Sequence, residues 1–297
     1  MATIGFISVC GLSVPLAESL VKAGHKVTLY APNIKNPHLL AAEGAKQVMT
    51  LAEAIQNADF IISLLWSTQQ VTSLCMDDGL LFDSMQKTSI YIDMSTIDAK
   101  KSCLLHSKAE ELGIKMLDAP VVGDPIRAAS KDISILVGGA PDDVATAQSI
   151  LQAMAERVIN VGTAGSGLVC KLCDSMILGV AMVAYSEILN MANDLGLEYK
   201  KVIDVLSKTA PQDRVLSDYC PVPGVVADAP SSHEYKAQIA TEDMLRDLKL
   251  SRDVSDNVNS RTQIVTQAAS IYNDYIDRGN AEHDFSGIFQ MLKENKV

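Results

Sequence analysis

The stretch from Gly162 to Leu195, GTAGSGLVCKLCDSMILGVAMVAYSEILNMANDL, constrains this chain more than any other. A glycine-rich turn, Gly162 to Gly167, opens into nearly thirty residues with no proline and one internal glycine, Gly179. Apolar residues occupy almost every side between Leu172 and Tyr185, which predicts a central helix of a helical domain, buried all round. A membrane span competes with this reading. The uninterrupted apolar run, Met176 to Tyr185, is ten residues long and flanked by Lys171, Asp174 and Glu187, too short and too polar to cross a bilayer. Cys170-Lys-Leu-Cys173 has thioredoxin-like spacing, but such a motif begins a helix directly after a strand with its first thiol exposed. Here it leads into an apolar helix, so two small core residues are expected.

At 297 residues the chain is long enough for two domains, each with a core of its own. A hydrophobic content of 48% with 21% charged residues is that of a globular protein. The net charge of −11 argues against nucleic acid or an anionic membrane surface as the partner. ATIGFISV at the start carries no signal-peptide pattern. Six scattered cysteines fit reduced thiols, so a cytoplasmic protein is expected.

Ahead of Gly162, strand-like and helix-like segments alternate. TIGFISV (3–9) is a short apolar run, Pro15 to Ala23 reads as a helix stopped by Gly24, and KVTLY (26–30) is a second strand. The unit recurs through QVMT (47–50), DFIISLLW (59–66), SIYIDMST (89–96), IKMLDAP (114–120), ISILVGG (133–139) and RVINVG (157–162). Such alternation implies a doubly wound, mostly parallel sheet. Beyond Gly167 the pattern is helical to the end, broken at PQ (211–212), CPVPG (220–224) and APSS (229–232). The expected domains are therefore 1–163 and 164–297.

A dinucleotide would sit at the turn between the first strand and the first helix, where the fingerprint G-x-G-x-x-G places its glycines. This chain has Ser8-Val9-Cys10-Gly11-Leu12-Ser13 there. All three glycine positions carry small residues instead. Ser8 would cost about 1–2 kcal/mol if the turn requires a left-handed conformation, and Cys10 would point its side chain at the phosphates. After the second strand, Tyr30-Ala31-Pro32-Asn33 offers neither the acid expected for NAD nor the arginine expected for NADP.

A longer set of motifs says more. IDMSTI (92–97), LDAPV-x-G (117–123), VGG (137–139), G-x-x-G-x-G-x-x-x-K (162–171), PVPGV (221–225), R-D-L (246–248) and DFSGIFQ (284–290) occur in order along the chain. In this the sequence resembles the β-hydroxyacid dehydrogenase family, on the side of the 3-hydroxyisobutyrate dehydrogenases. The resemblance implies a Rossmann-like, doubly wound α/β domain followed by an all-α domain that carries substrate contacts and dimerises. It implies NAD or NADP as cofactor and a small-molecule alcohol or carbonyl substrate. No Cys/His cluster has metal-ligand spacing, so no metal is expected. A helix apolar on every side needs more cover than one small domain provides, which predicts a homodimer or dimer-based oligomer through 168–195. Lys171 stands at the family's catalytic lysine, and Thr96 at a nicotinamide-side contact, with Ser95 beside it as a substrate contact. Leu65, Trp66 and Gln70 stand in the loop that touches cofactor, with Trp66 in place of a proline. Ser8, Cys10, Gly11, Leu12, Ser13 and Ala31 complete the expected cofactor contacts, and Arg246 stands at a lysine near the nicotinamide. Val122 replaces the substrate-anchoring serine, Gly123 follows it, and Asp124 replaces a second glycine. Asp174 and Ser175 replace two asparagines.

Lys171 and Asp174, at i and i+3, share a helix face and can pair. A carboxylate favours the ammonium form of its neighbour, which suits a lysine that donates a proton during carbonyl reduction. The same pair can instead be a structural one. Ser95 and Thr96 also fit a helix N-cap, S-T-x-D. His25 and His283 read as surface or satisfied histidines. Two functions fit these residues: an NAD(P)-dependent oxidoreductase with an altered substrate, or a non-catalytic homologue with an eroded cofactor site acting in binding or interaction.

Overall fold

The computed structural model describes residues 1–31, 42–76, 81–209, 214–257 and 262–294. Packing divides the chain into two compact units, Met1–Lys171 and Leu172–Val297. That division falls inside the long helix, a little beyond residue 163.

Unit 1 begins β1 (Thr3–Ser8), α1 (Ser13–Lys22), β2 (Lys26–Tyr30), β3 (Lys46–Val48) and α2 (Leu51–Ile55). It continues with β4 (Phe60–Leu64), α3 (Thr68–Met76), α4 (Leu81–Ser84), β5 (Ile90–Asp93), α5 (Ala99–Glu111) and β6 (Lys115–Asp118). Then follow β7 (Val121–Val122), α6 (Pro125–Ala129), β8 (Ser134–Gly139), α7 (Pro141–Met154) and β9 (Arg157–Gly162). The strand order is β3-β2-β1-β4-β5-β6-β8-β7, with β9 on the other side of β8. From β3 through β6 every pairing is parallel. Helices cover both faces, so the strands are apolar on both. Ile4 and Phe6 of β1 join one core cluster with Phe60, Ile62 and Leu64, while Ile7 joins the opposite one with Ile61, Tyr91 and Met116.

The parallel pattern stops at β8, which runs antiparallel to both β6 and β7. Between β7 and β8 the chain holds only the one-and-a-half turns of α6, and a parallel return needs a crossover of a dozen or more residues. β9 then pairs in parallel with β8, after the full-length helix α7.

Unit 2 is helical: most of α8 (Ser166–Asp194), then α9 (Tyr199–Thr209), α10 (Arg214–Ser217), α11 (Thr241–Asn257), α12 (Gln263–Asp277) and α13 (Ile288–Glu294). Short 3₁₀ turns lie at Pro230–His233 and Phe285–Gly287. Among the described residues this unit has no paired strand beyond the isolated bridges Lys236↔His283 and Ala240↔Asp284. Pro211 and Gln212 lie outside the described residues. Leu178, Met182 and Val183 of α8 build the core with Val215, Tyr219, Leu248, Tyr272 and Phe285. Gly179 faces Met244 and Leu248 of α11. A Cβ there would sit 2.9 Å from Met244 Sδ and 3.2 Å from a methyl of Leu248, so these side chains would have to shift to admit one.

By length and composition α8 is, among the described residues, the one helix apolar enough to span a bilayer. Its inner face is instead the core of unit 2. The expectation of burial on all sides does not hold. Ile177 is 73% exposed, and Val169 and Ile188 are more than a third exposed. Cys173 is exposed and Cys170 half-buried, so the pair is not the core pair that its surroundings suggested. Apolar residues on the exposed face as well as on the core face gave this helix the pattern of a wholly buried one.

Candidate functional site

In a doubly wound sheet ligands bind beyond the carboxyl ends of the strands, where the strand order reverses. Here that point lies between β1 and β4. The loop after β1 is held by hydroxyls. Ser8 Oγ donates to the carbonyl of Leu64 at 3.0 Å and accepts from the N–H of Cys10 at 3.1 Å. Ser13 Oγ donates to the carbonyl of Cys10 at 2.7 Å. Neither Ser8 nor Cys10 takes a positive φ, so the left-handed strain expected at Ser8 is absent. The Cys10 side chain packs, partly buried, on the core cluster under β1. Gly11 is exposed, with open space where a Cβ would be. Leu12 precedes α1 without a side-chain cap, and no acidic residue sits in the first turn. A helix start of this kind suits an anion. The loop therefore fits a dinucleotide phosphate by a different device from glycine.

Leu65, Trp66, Gln70 and Ser95 converge on the same end of the sheet. The N–H of Leu65 donates to Ser95 Oγ at 2.9 Å. Trp66 donates its backbone N–H to Gln70 Oε1 at 3.0 Å and its indole N–H to the carbonyl of Val9 at 3.0 Å. The loop after β4 is thus tied to the loop after β1. Ser95 is consequently not a helix cap. Asp98 caps α5, its side chain accepting from the N–H of Lys101 at 2.8 Å. Thr96 is half-buried beside it. Ala31, just past β2, is half-buried against the core, and Pro32 and Asn33 lie outside the described residues.

Lys171 is placed by its turn. Asp118, at the end of β6 and 3% exposed, accepts from the N–H of Gly165 at 2.7 Å and of Leu168 at 3.0 Å. A carboxylate at a helix N-terminus complements the helix dipole. His106 Nε2 of α5 lies 3.3 Å from the same carboxylate. The clamp fixes the start of α8, with Lys171 about one turn beyond Leu168. Asp118, His106 and the buried Asp93 are missing from the sequence reading. The available signal is an acid closing an otherwise apolar strand, in YID and MLD.

The remaining expected residues have visible duties. Val122 is half-buried at the end of β7, and Gly123 takes φ 148 against Ile133. Asp124, expected at the substrate, caps α6 by accepting from the N–H groups of Ile126 at 2.9 Å and Arg127 at 3.0 Å. In unit 2, Asp174 is half-buried on α8, and Ser175 donates to Asp247 Oδ2 of α11 at 2.8 Å. Arg246 pairs with Asp243 at 2.6 Å. Burial holds the Asp243 carboxyl above its usual range, although Arg246 pulls it down. His25 Nδ1 accepts from the N–H of Ala2 at 3.2 Å, a structural duty. Among the described residues no group of three His, Cys, Asp or Glu is arranged to hold a metal ion.

Comparison with known proteins completes the picture. Residues 3–162 match the model of the NAD binding domain of 6-phosphogluconate dehydrogenase. Residues 165–292 match that of the NAD-binding domain of NADP-dependent 3-hydroxyisobutyrate dehydrogenase. The chain belongs to the β-hydroxyacid dehydrogenase family. Among its relatives is the NAD-dependent L-serine dehydrogenase of Pseudomonas aeruginosa, 31% identical over 98% of both chains. The mitochondrial 3-hydroxyisobutyrate dehydrogenase of Bos taurus is 32% identical over 99% of this chain and 88% of its own. The solved 3-hydroxyisobutyrate dehydrogenase of Mycobacterium tuberculosis with L-serine superposes with a TM-score of 0.89 at 30% identity, covering 99% of both chains. This family member is accordingly an NAD(P)-dependent oxidoreductase of the 3-hydroxyisobutyrate dehydrogenase type, with a Rossmann-like first unit and a helical second.

Proposed function

We propose that the protein transfers hydride between NAD or NADP and a small alcohol or carbonyl compound that is neutral or cationic, with Lys171 as proton donor to the carbonyl oxygen. The observation that carries this is the Asp118 clamp, which fixes the start of α8 from which Lys171 projects. When bound, the nicotinamide would supply or accept the hydride. The loops of unit 1 held by Ser8, Ser13, Trp66 and Ser95 would orient it, with Thr96 and Gln70 beside them. In the reverse direction Lys171 takes up the alcohol proton.

The substrate departs from 3-hydroxyisobutyrate because its anchors are gone. Val122 brings no hydroxyl, and Asp174 brings a negative charge where the family has an amide. A carboxylate within about 4 Å of another costs on the order of 4 kcal/mol at an effective dielectric of 20. An ammonium-bearing substrate gains from the same charge. Asp124 contributes less than the sequence suggested, since its oxygen is engaged as a helix cap. A homodimer through the exposed face of α8 and a cytoplasmic setting belong to the same proposal.

Turnover of a panel of hydroxyacids, amino alcohols and their carbonyl forms with both cofactors is the test. Lys171→Ala should lower the rate about 10²–10⁴-fold with cofactor affinity nearly unchanged. A variant keeping half the activity removes Lys171 from the mechanism, and efficient oxidation of 3-hydroxyisobutyrate overturns the substrate reading.

A further inference from the structure

Unit 1 encloses a carboxylate that hydride transfer does not use. Asp93 closes β5 and is 2% exposed. Its Oδ1 accepts from Ser63 Oγ at 2.8 Å and from the N–H of Ser95 at 3.1 Å. Ser95 Oγ in turn accepts from the N–H of Leu65. The next residue, Trp66, reaches the carbonyl of Val9 in the loop after β1. Three hydrogen bonds, joined through Ser95 and the Leu65–Trp66 backbone, therefore link a buried acid to the phosphate loop.

The groups around Asp93 set its charge. On its own strand the Tyr91 hydroxyl lies 2.8 Å from Ser63 Oγ, and Cys75 Sγ of α3 donates to Tyr91 at 3.4 Å. Across the sheet Asp118 of β6 is its register partner, with His106 of α5 beyond. Burial pushes the Asp93 carboxyl up to about 6 against the pull of its Ser95 and Ser63 hydrogen bonds, and Asp118 adds to the rise. Burial also pushes Tyr91 and Cys75 up, so both stay neutral donors. When ionised, Asp93 can only accept, and both Ser63 and Ser95 must turn their protons to it. When protonated, it can donate to Ser63, and its hold on the Ser95 N–H loses the strengthening that a charge gives.

We propose that Asp93 is a positioning residue for the dinucleotide site: its carboxylate fixes the Ser95 turn and, through Leu65 and Trp66, the loop after β1, so that cofactor binding weakens when the carboxylate is protonated or removed. This rests on the dinucleotide reading above. It makes affinity for the cofactor fall below neutrality without any titrating group touching the cofactor.

Trp66 is the only tryptophan of the chain, so its emission reports the relay with no cofactor present. Emission of the wild type, Asp93→Asn and Ser95→Ala is followed from pH 4.5 to 8, with circular dichroism recording the fold. The wild type should show one transition centred near 6, matching the Asp93 carboxyl, and both variants should lose it. Ser95→Ala keeps the acid but cuts its link to Leu65, so it decides the matter even if Asp93→Asn fails to fold. Calorimetric titration with NAD⁺ and NADP⁺ runs alongside. Wild-type affinity should be roughly tenfold weaker at pH 5 than at pH 7.5, in proportion to the ionised fraction, and that of folded Asp93→Asn should be flat. A transition that persists in Ser95→Ala, or none in the wild type, overturns the proposal. An intact transition without binding of either cofactor instead refutes the dinucleotide reading, and with it the purpose assigned to Asp93.

Discussion

The indole N–H of Trp66 donates to the main-chain carbonyl of Val9 at 3.0 Å. A side chain standing where the family has proline thus braces the phosphate loop from the neighbouring strand. Trp66→Phe keeps a ring of similar bulk and removes the donor. One hydrogen bond of this kind contributes about 0.5–1.5 kcal/mol, so the dissociation constant for NAD⁺ or NADP⁺ should rise roughly 2- to 12-fold. Calorimetry measures it directly. Tighter binding by the variant would mean that Trp66 obstructs the loop.

The Asp118 clamp predicts a coupled loss of stability and rate. In Asp118→Asn only one oxygen remains for the two N–H groups of Gly165 and Leu168, and an amide N–H₂ faces the other. An unmet buried donor costs about 1–3 kcal/mol, or roughly 2–4 °C of melting temperature per kcal/mol in a chain approaching this length. Turnover should fall by a larger factor than stability explains, because the start of α8 loosens. A melting temperature within a degree of the wild type would show that the clamp is dispensable.

Asp284 gives a pH prediction for unit 2. It accepts from the N–H groups of Gln238, Ile239 and Ser286 and from Ser286 Oγ, yet burial outweighs these bonds and pushes its carboxyl up to about 6. The native state then binds more protons than the unfolded one between the ordinary carboxylate value and 6. Stability from this group is present at low pH and is lost as pH rises through that window. Asp284→Asn lacks the dependence. Its deficit relative to wild type should therefore be larger at pH 4.5 than at pH 7, by about 2 kcal/mol. Denaturant unfolding at the two pH values reads this, and an equal deficit at both contradicts it.

Much of this was legible in the sequence, and the reasons differ by element. Alternating apolar runs and helical segments are a local signal, so the doubly wound sheet and the helical second unit could be read directly. The antiparallel turn at β8 was not, because nothing in ISILVGG records direction. Lys171 stood out in the sequence through its glycine turn, and its role rests on the family resemblance. Asp118 was not, because what it holds lies 47 and 50 residues away. The serines at the glycine positions of the first loop read as damage when taken singly. In three dimensions Ser8 and Ser13 are each other's complement around the backbone of Cys10. Asp124 read as a pocket acid since a cap at a five-residue helix leaves little trace.

The outer face of α8 predicts assembly. Val169, Ile177 and Ile188 fall on one side of the helix and are exposed, and a contiguous apolar strip of this kind marks an interaction surface. Ile177→Glu should convert a dimer into a monomer in sedimentation at micromolar concentration. A wild-type protein that is already monomeric there removes the dimer from the proposal.

The central claim is that this loop, braced by hydroxyls rather than opened by glycines, holds a dinucleotide. Calorimetric titration of the wild type and of the triple variant Ser8→Gly, Cys10→Gly, Ser13→Gly with NAD⁺ and NADP⁺ tests it most directly. The account predicts one site per chain in the wild type for at least one cofactor. It predicts no gain in the variant, which loses about 1 kcal/mol of stability with each hydroxyl bond. Binding that appears only in the variant would mean that the native loop is closed to cofactor, and binding by neither protein would contradict the oxidoreductase itself.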